Sequence, residues 1–342
     1  MEEEKYTGDQ LSTEQHAPSG DETPGATGSS SGAPKKSGTF KKILYNLLLA
    51  VRGTAYPVMY ILMQTLALIV VGMIVAFYKL ATVGADASGM SADEAIQKLL
   101  ADALNNTEIQ HAAIIVAGLL MIMLIVLIQF IRRKSLKEEL HLVPVSPAVC
   151  AIAVGTGITL NFVISFLISL IPEQVMKFIG ENNDEPEYVG SMLIYVLAAV
   201  ITAPVIEELL FRNFMYGRFR RFMPVWLSIA LVSVFFGIVH GSILQGVYAG
   251  VLGILLALVF ERSGSILPGV FCHLGFNAVS IIAAAYGQGL FTEGQAAAVD
   301  VFYSIALIVS FILCVPLTIM LIRSTGKKNK NIEAPADGQN TV

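Results

Sequence analysis

Eight apolar runs, at 57–81, 112–131, 148–171, 189–215, 224–241, 244–261, 265–287 and 300–322, govern what this chain can fold into. A helix rises about 1.5 Å per residue and the hydrocarbon core of a bilayer is roughly 30 Å thick, so about 20 apolar residues cross it. In lipid a spanning segment must satisfy its own backbone N–H and C=O groups, and a run of this kind does so as a helix. The expected fold is all-α, a polytopic integral membrane helical bundle of about eight transmembrane helices. Composition agrees: the chain is 55% hydrophobic and 14% charged, where a soluble domain is about a quarter charged.

The charges that remain are sorted by loop. "RRKSLK" (132–137), "GRFRR" (217–221), "ER" (261–262) and "RSTGKKNK" (323–330) alternate along the chain with acidic segments at 82–110 and 173–188. Basic loops stay in the cytoplasm, which places both termini there and makes this a multi-pass protein of the cell membrane. Within the first acidic segment, "SADEAIQKLLADAL" (91–104) has a Ser start and helical spacing of Ala, Ile and Leu, and reads as a short external helix.

Residues 1–38 are rich in Gly, Ser, Thr, Pro and Glu and have almost no large apolar side chain. They cannot bury enough surface to offset their ordering entropy and are expected to form a disordered cytoplasmic tail. The transmembrane domain then runs over 39–322, and 323–342 is a second cytoplasmic tail. Lys35, Lys36, Lys41, Lys42 and Arg52 lead into the membrane and suit anionic lipid headgroups, not nucleic acid. The lipid bilayer is the partner this composition demands; no nucleic-acid partner is expected. The cysteines, Cys150, Cys272 and Cys314, are an odd number inside apolar runs, which argues against a disulfide framework. Gly237/Gly241 and Gly246/Gly250 have the small-xxx-small spacing that lets membrane helices approach closely.

Ionisable residues deep in a bilayer cost at least a few kcal/mol each, so each needs a partner or a task. They gather in one half of the chain: Glu207, Glu208 and Arg212 in the fourth run, His240 in the fifth, His273 and Asn277 in the seventh. Glu208 and Arg212 are four apart and share a helix face, as do His273 and Asn277, and Phe236 and His240. Glu207 is turned about 100° from Glu208 and can face another neighbour. Counting from the basic stop at Arg218–Arg221 puts Glu207 roughly 16 Å deep, with His240 roughly 24 Å above Pro224 and His273 roughly 12 Å above Ser265. Helix tilt covers the differences, and one buried site fits. Pro204 can bend the chain just before the carboxylates.

A carboxylate in low dielectric is a stronger base, while one paired with Arg is held ionised, so two glutamates can divide the roles of base and support. His and Asn N–H groups can hold a developing oxyanion. Such a set suits hydrolysis of a carbonyl compound by activated water. Glu207, His240 and His273 could alternatively ligate Zn²⁺ as a His₂Glu set, although no HExxH occurs.

"EELLFR" (207–212), "FGIVH" (236–240) and "HLGFN" (273–277), with "ERSGSILPGVFCH" leading into the third, resemble the EExxxR, FxxxH and HxxxN motifs of the CAAX protease and bacteriocin-processing family. That family includes the type 2 CAAX prenyl endopeptidases. The resemblance covers about 190–282, which would be the catalytic core. It implies an intramembrane protease acting on a membrane-associated protein or peptide, with Glu207 activating water assisted by His240. It further implies an oxyanion hole of His273 and Asn277, and Glu208 with Arg212 supporting the site. It favours a reaction with no cofactor, Zn²⁺ being the alternative. Asn213 departs from the family pattern, where Gly often follows the Arg, and little consequence is expected.

Other readings compete. The Glu207/Glu208/Arg212 group could be an ion pair locking two helices, and Arg212 could snorkel to the cytoplasmic surface. A transporter would also use buried Glu and His, but neither inverted repeats nor broken helices are evident. An immunity or scaffold protein would have no use for His and Asn in lipid. His16, His111 and His141, in a tail or at loop edges, stay outside the site. Asn161 and Gln64 are isolated polar residues expected to bond between helices.

Overall fold

The structure, a computed structural model, describes residues 36–83, 92–133, 135–180, 190–287 and 289–326. The expected N-terminal tail lies outside these except for 36–38, with which the first helix opens, and most of the C-terminal tail lies outside them too. All regular structure among the described residues is helical. The helices are α1 (Lys36–Val83), α2 (Ala92–Leu104), α3 (Thr107–Ile131), α4 (Leu136–Glu139), α5 (Pro147–Ser169), α6 (Glu173–Phe178), α7 (Met192–Phe219), α8 (Val225–Ile238), α9 (Ile243–Ser263), α10 (Leu267–Ala278), α11 (Ser280–Gly287) and α12 (Glu293–Ser324). A short helix stands where the sequence puts one, as α2.

Seven helical stretches are long and apolar enough to span: α1, α3, α5, α7, α9, α10 with α11, and α12. The fifth expected span is a correction. α8 has 14 residues, about 21 Å, short of a full hydrocarbon core. Gly241 follows it in the left-handed conformation, φ +79°, which stops a helix and turns the chain. Gly241 therefore serves a turn, while Gly237 and Gly246 do pack, each against the backbone of the other.

α7 is the centre. Its Ile206, Leu210, Phe211, Phe214 and Tyr216 form one core with Ala113, Ala117 and Met121 of α3, Phe236 of α8 and Phe260 of α9. A second core joins Ala153 of α5, Leu252 and Leu256 of α9, and Cys272 and Phe276 of α10. Glycines set the α5–α10 contact: a Cβ on Gly157 would lie 1.9 Å from the Cys272 carbonyl oxygen, and one on Gly275 2.4 Å from that of Val154. Asn161 adds an interhelical bond from its Nδ2 to the Phe276 carbonyl, 3.0 Å. α10 is thus pinned by its backbone on both sides of His273.

The basic loops meet at one end of the helices. Asn213 Nδ2 donates to the Glu139 carbonyl at 2.9 Å, Tyr216 Oη to Glu261 at 2.8 Å, Ser265 Oγ to the Val143 carbonyl at 2.7 Å and Arg262 Nε to the Ile322 carbonyl at 2.7 Å.

Candidate active site

Two π-helical segments, Val196–Thr202 and Leu209–Tyr216, flank the Ala203–Glu208 turn of α7. Such i→i+5 windings are rare and concentrate at functional sites. The first has a chemical cause. In π register the Ala199 carbonyl would accept from residue 204, but Pro204 has no N–H. Asn277 supplies the missing donor, its Nδ2 2.8 Å from that oxygen. Pro204 thus opens a carbonyl toward α10 within a continuous helix, and Asn277 ties α10 to it.

Below this tie the charged residues form a line. Glu208 and Arg212 are fully buried, with Arg212 Nε 3.1 Å from Glu208 Oε2, the pairing their spacing predicts. The guanidinium lies over the Phe236 ring at 4.5 Å; it does not snorkel to the surface. Glu208 Oε1 is 3.4 Å from His273 Nδ1. On the other side of the imidazole, Nε2 is 3.8 Å from Glu207 Oε2, and Glu207 keeps 19% of its side-chain exposure. The glutamates do not face different neighbours, as their rotation suggests: they flank one imidazole. Glu208 is sealed behind it and Glu207 is open before it.

His240 lies past the end of α8, in the turn closed by Gly241. Its Nδ1 is 2.6 Å from the Phe236 carbonyl. The Phe236 ring stands edge-on to both His240 (4.9 Å between centroids) and His273 (5.7 Å), so it spaces the imidazoles apart. Glu207, Glu208, Arg212 and His273 are brought together; His240 joins them through Phe236, and Asn277 sits one turn along α10, bonded to Ala199. Among the described residues no group of three or more His, Cys, Asp or Glu side chains is gathered closely enough to hold a metal ion.

Sequence reasoning passes over several residues here. A Cβ on Gly269 would lie 2.8 Å from Glu208 Oε2, so the absence of a side chain gives that carboxylate its place. Its position four residues before His273, on the same face, is the available signal. Asn213 is not neutral: besides its bond to Glu139 it pairs its Oδ1 with His141 Nδ1, clamping the 139–141 segment against α7. Gln64 is not isolated but stands one turn from Tyr60 and near its phenol. The cysteines are all free.

Residues 189–279, the stretch that contains the whole line, match the family described as type II CAAX prenyl endopeptidase Rce1-like. The chain is similar to YdiL of Bacillus subtilis (strain 168), a protein assigned as a membrane peptidase. The two are 23% identical over 108 residues, 30% of this chain and 44% of that one. It is also similar to the protein YbdI of Lactococcus lactis subsp. lactis (strain IL1403), 26% identical over 102 residues, 30% of this chain and 54% of that one. These similarities span about half the length of each relative. No solved structure matches the chain significantly. The matched stretch ends one residue past Ala278, the last residue of α10, so it holds the polar line but neither α3 nor α5, which fix its helices from outside.

Proposed function

We propose that the protein is an intramembrane endopeptidase that hydrolyses a peptide bond of a membrane-associated protein or peptide. The observation that carries the reading is the half-open Glu207 facing His273, with the sealed Glu208–Arg212 pair behind it, on helices of an Rce1-like region. Glu207 takes a proton from water as the water attacks the scissile carbonyl, and His240 assists. His273 and Asn277 face the developing oxyanion, and Glu208 with Arg212 holds His273 in place. The site opens toward the cytoplasm or sideways into lipid, and both termini are cytoplasmic.

The reaction we propose is metal-free. What supports it is the donor arrangement: the ring of His240 is turned to the Phe236 carbonyl and kept from His273 by the Phe236 ring. A strong chelator should leave cleavage unchanged; loss of activity that Zn²⁺ restores would overturn this choice.

The peptidase reading is tested by mapping new protein N-termini in membranes of cells that express the wild type or Glu207→Gln. Removal of a general base lowers rates by about 10²–10⁴-fold, so termini made by the wild type should vanish in the variant. Equal cleavage by both would sink the assignment of the base. A non-proteolytic transporter or immunity role would yield no such termini from either.

A further inference from the structure

The donors expected to hold the oxyanion are partly committed within the protein. Both ring nitrogens of His273 face carboxylates, and one of the two Asn277 amide N–H groups is given to the Ala199 carbonyl. A hydrolytic site with donors so divided gains from a further one that is preorganised.

One lies on α1, a helix outside the Rce1-like region. Tyr60 is 4% exposed, and its hydroxyl completes no hydrogen bond of good geometry, although the Gln64 side chain lies within reach of it. A buried hydroxyl without a well-placed partner is costly to keep, and such a group calls for a reason. The packing of α1 on α7 directs this hydroxyl toward the level of Glu207. Phe219 meets Gly53, where a Cβ would lie 3.2 Å from its ring, and Phe214 stacks on Tyr56 at 4.3 Å. The helices therefore run antiparallel. From the Tyr56–Phe214 contact, Tyr60 is about 6 Å further along α1 and Glu207 about 10 Å further along α7. A tyrosine side chain bridges that difference. Tyr60 shares the core that contains Ile206 and Leu210, and the Glu207 carboxylate acts electrostatically on its phenol.

We propose that Tyr60 donates a hydrogen bond to the scissile carbonyl oxygen as it becomes an oxyanion. The inference rests on the peptidase reading above. As water bonds to the carbonyl carbon, its proton passes to Glu207 and the C=O π electrons move onto oxygen, where the Tyr60 hydroxyl meets them. When the tetrahedral species collapses, the C–N bond breaks and Glu207 returns the proton to the leaving amine. Tyr60 keeps its proton throughout.

The test uses Tyr60→Phe, which keeps the ring and removes only the donor, in the full-length chain. The substrate is a peptide spanning a bond cleaved by the wild type in the N-terminal mapping. Loss of one oxyanion donor lowers kcat by about 10²–10³-fold, so we expect a fall of that order in kcat, little change in KM, and unfolding in detergent no earlier than the wild type. Tyr56→Phe, one turn away with its ring against Phe214 and Arg218, should keep the wild-type kcat. Wild-type kcat in Tyr60→Phe overturns the inference and leaves the peptidase reading intact. A rise in KM alone, or a fall in thermal stability that accounts for the lost activity, also overturns it. No cleavage by the wild type overturns both.

Discussion

Position 269 shows how little room the site has. The nearest atom to a Cβ built there is Glu208 Oε2, at 2.8 Å, and that carboxylate is held between Arg212 Nε and the His273 ring. Gly269→Ala must push Glu208 off one of them. We expect normal membrane insertion and at least a tenfold loss of kcat, a barrier change of about 1.4 kcal/mol; wild-type turnover would show that Glu208 can shift without consequence. The ion pair itself is open to a cycle of substitutions. Breaking a buried pair by removing one partner costs about 3–5 kcal/mol, whereas replacing both with apolar residues is often neutral. Glu208→Leu and Arg212→Met should each lower the unfolding temperature markedly. The double variant should recover most of that stability and none of the activity, as read by thermal unfolding in detergent beside peptide cleavage. At this scale the sequence is informative wherever spacing alone decides. Glu208 and Arg212 are four apart and do pair. That both glutamates face one imidazole is not legible in it, because this depends on how α10 lies against α7.

Elements carry a different kind of information. The apolar runs announce helices because a bilayer leaves the backbone no other partner, yet they do not announce where a helix stops. The run at 224–241 continues beyond the end of α8, and a left-handed Gly241 ends the helix early and moves His240 into a turn. The π segments leave no period in the pattern, since lipid-facing and core-facing positions of α7 are alike apolar. Pro204 is the one legible hint, and it acts by withholding a donor from Ala199, not by a kink. The role of Asn277 can be divided accordingly. In the wild type, Asn277→Ala should strip the Ala199 carbonyl of its partner and destabilise the fold by about 1–3 kcal/mol. Pro204→Ala gives residue 204 an N–H of its own, so adding Asn277→Ala to it should cost much less. If activity stays low where stability has been recovered, Asn277 also serves the reaction; if activity returns with stability, its contribution is the tie between α7 and α10.

For the whole molecule the question is sidedness. The seven long helices and one short helix leave the parity of crossings open, because α8 alone reaches only part of the way through a bilayer. The contacts close the gap. Glu261, at the end of α9, accepts from Tyr216 and Arg220 at the end of α7, so the α8–α9 hairpin leaves and returns on one side. Whether its turn at 239–242 reaches the far surface or stops within the membrane, it adds an even number of crossings. With four spans before it and two after it, the proposed topology has an even number of crossings and both termini in the cytoplasm. Reporters fused at either end should both be active in the cytoplasm. The turn is tested separately by Ser242→Cys in a chain whose Cys150, Cys272 and Cys314 are replaced by alanine. An external thiol reagent that cannot cross the membrane should label it poorly, because the helix beneath spans only about 21 Å. Rapid labelling would place His240 at the outer surface, away from Glu207, and would remove it from the reaction while leaving the sidedness of the termini untouched.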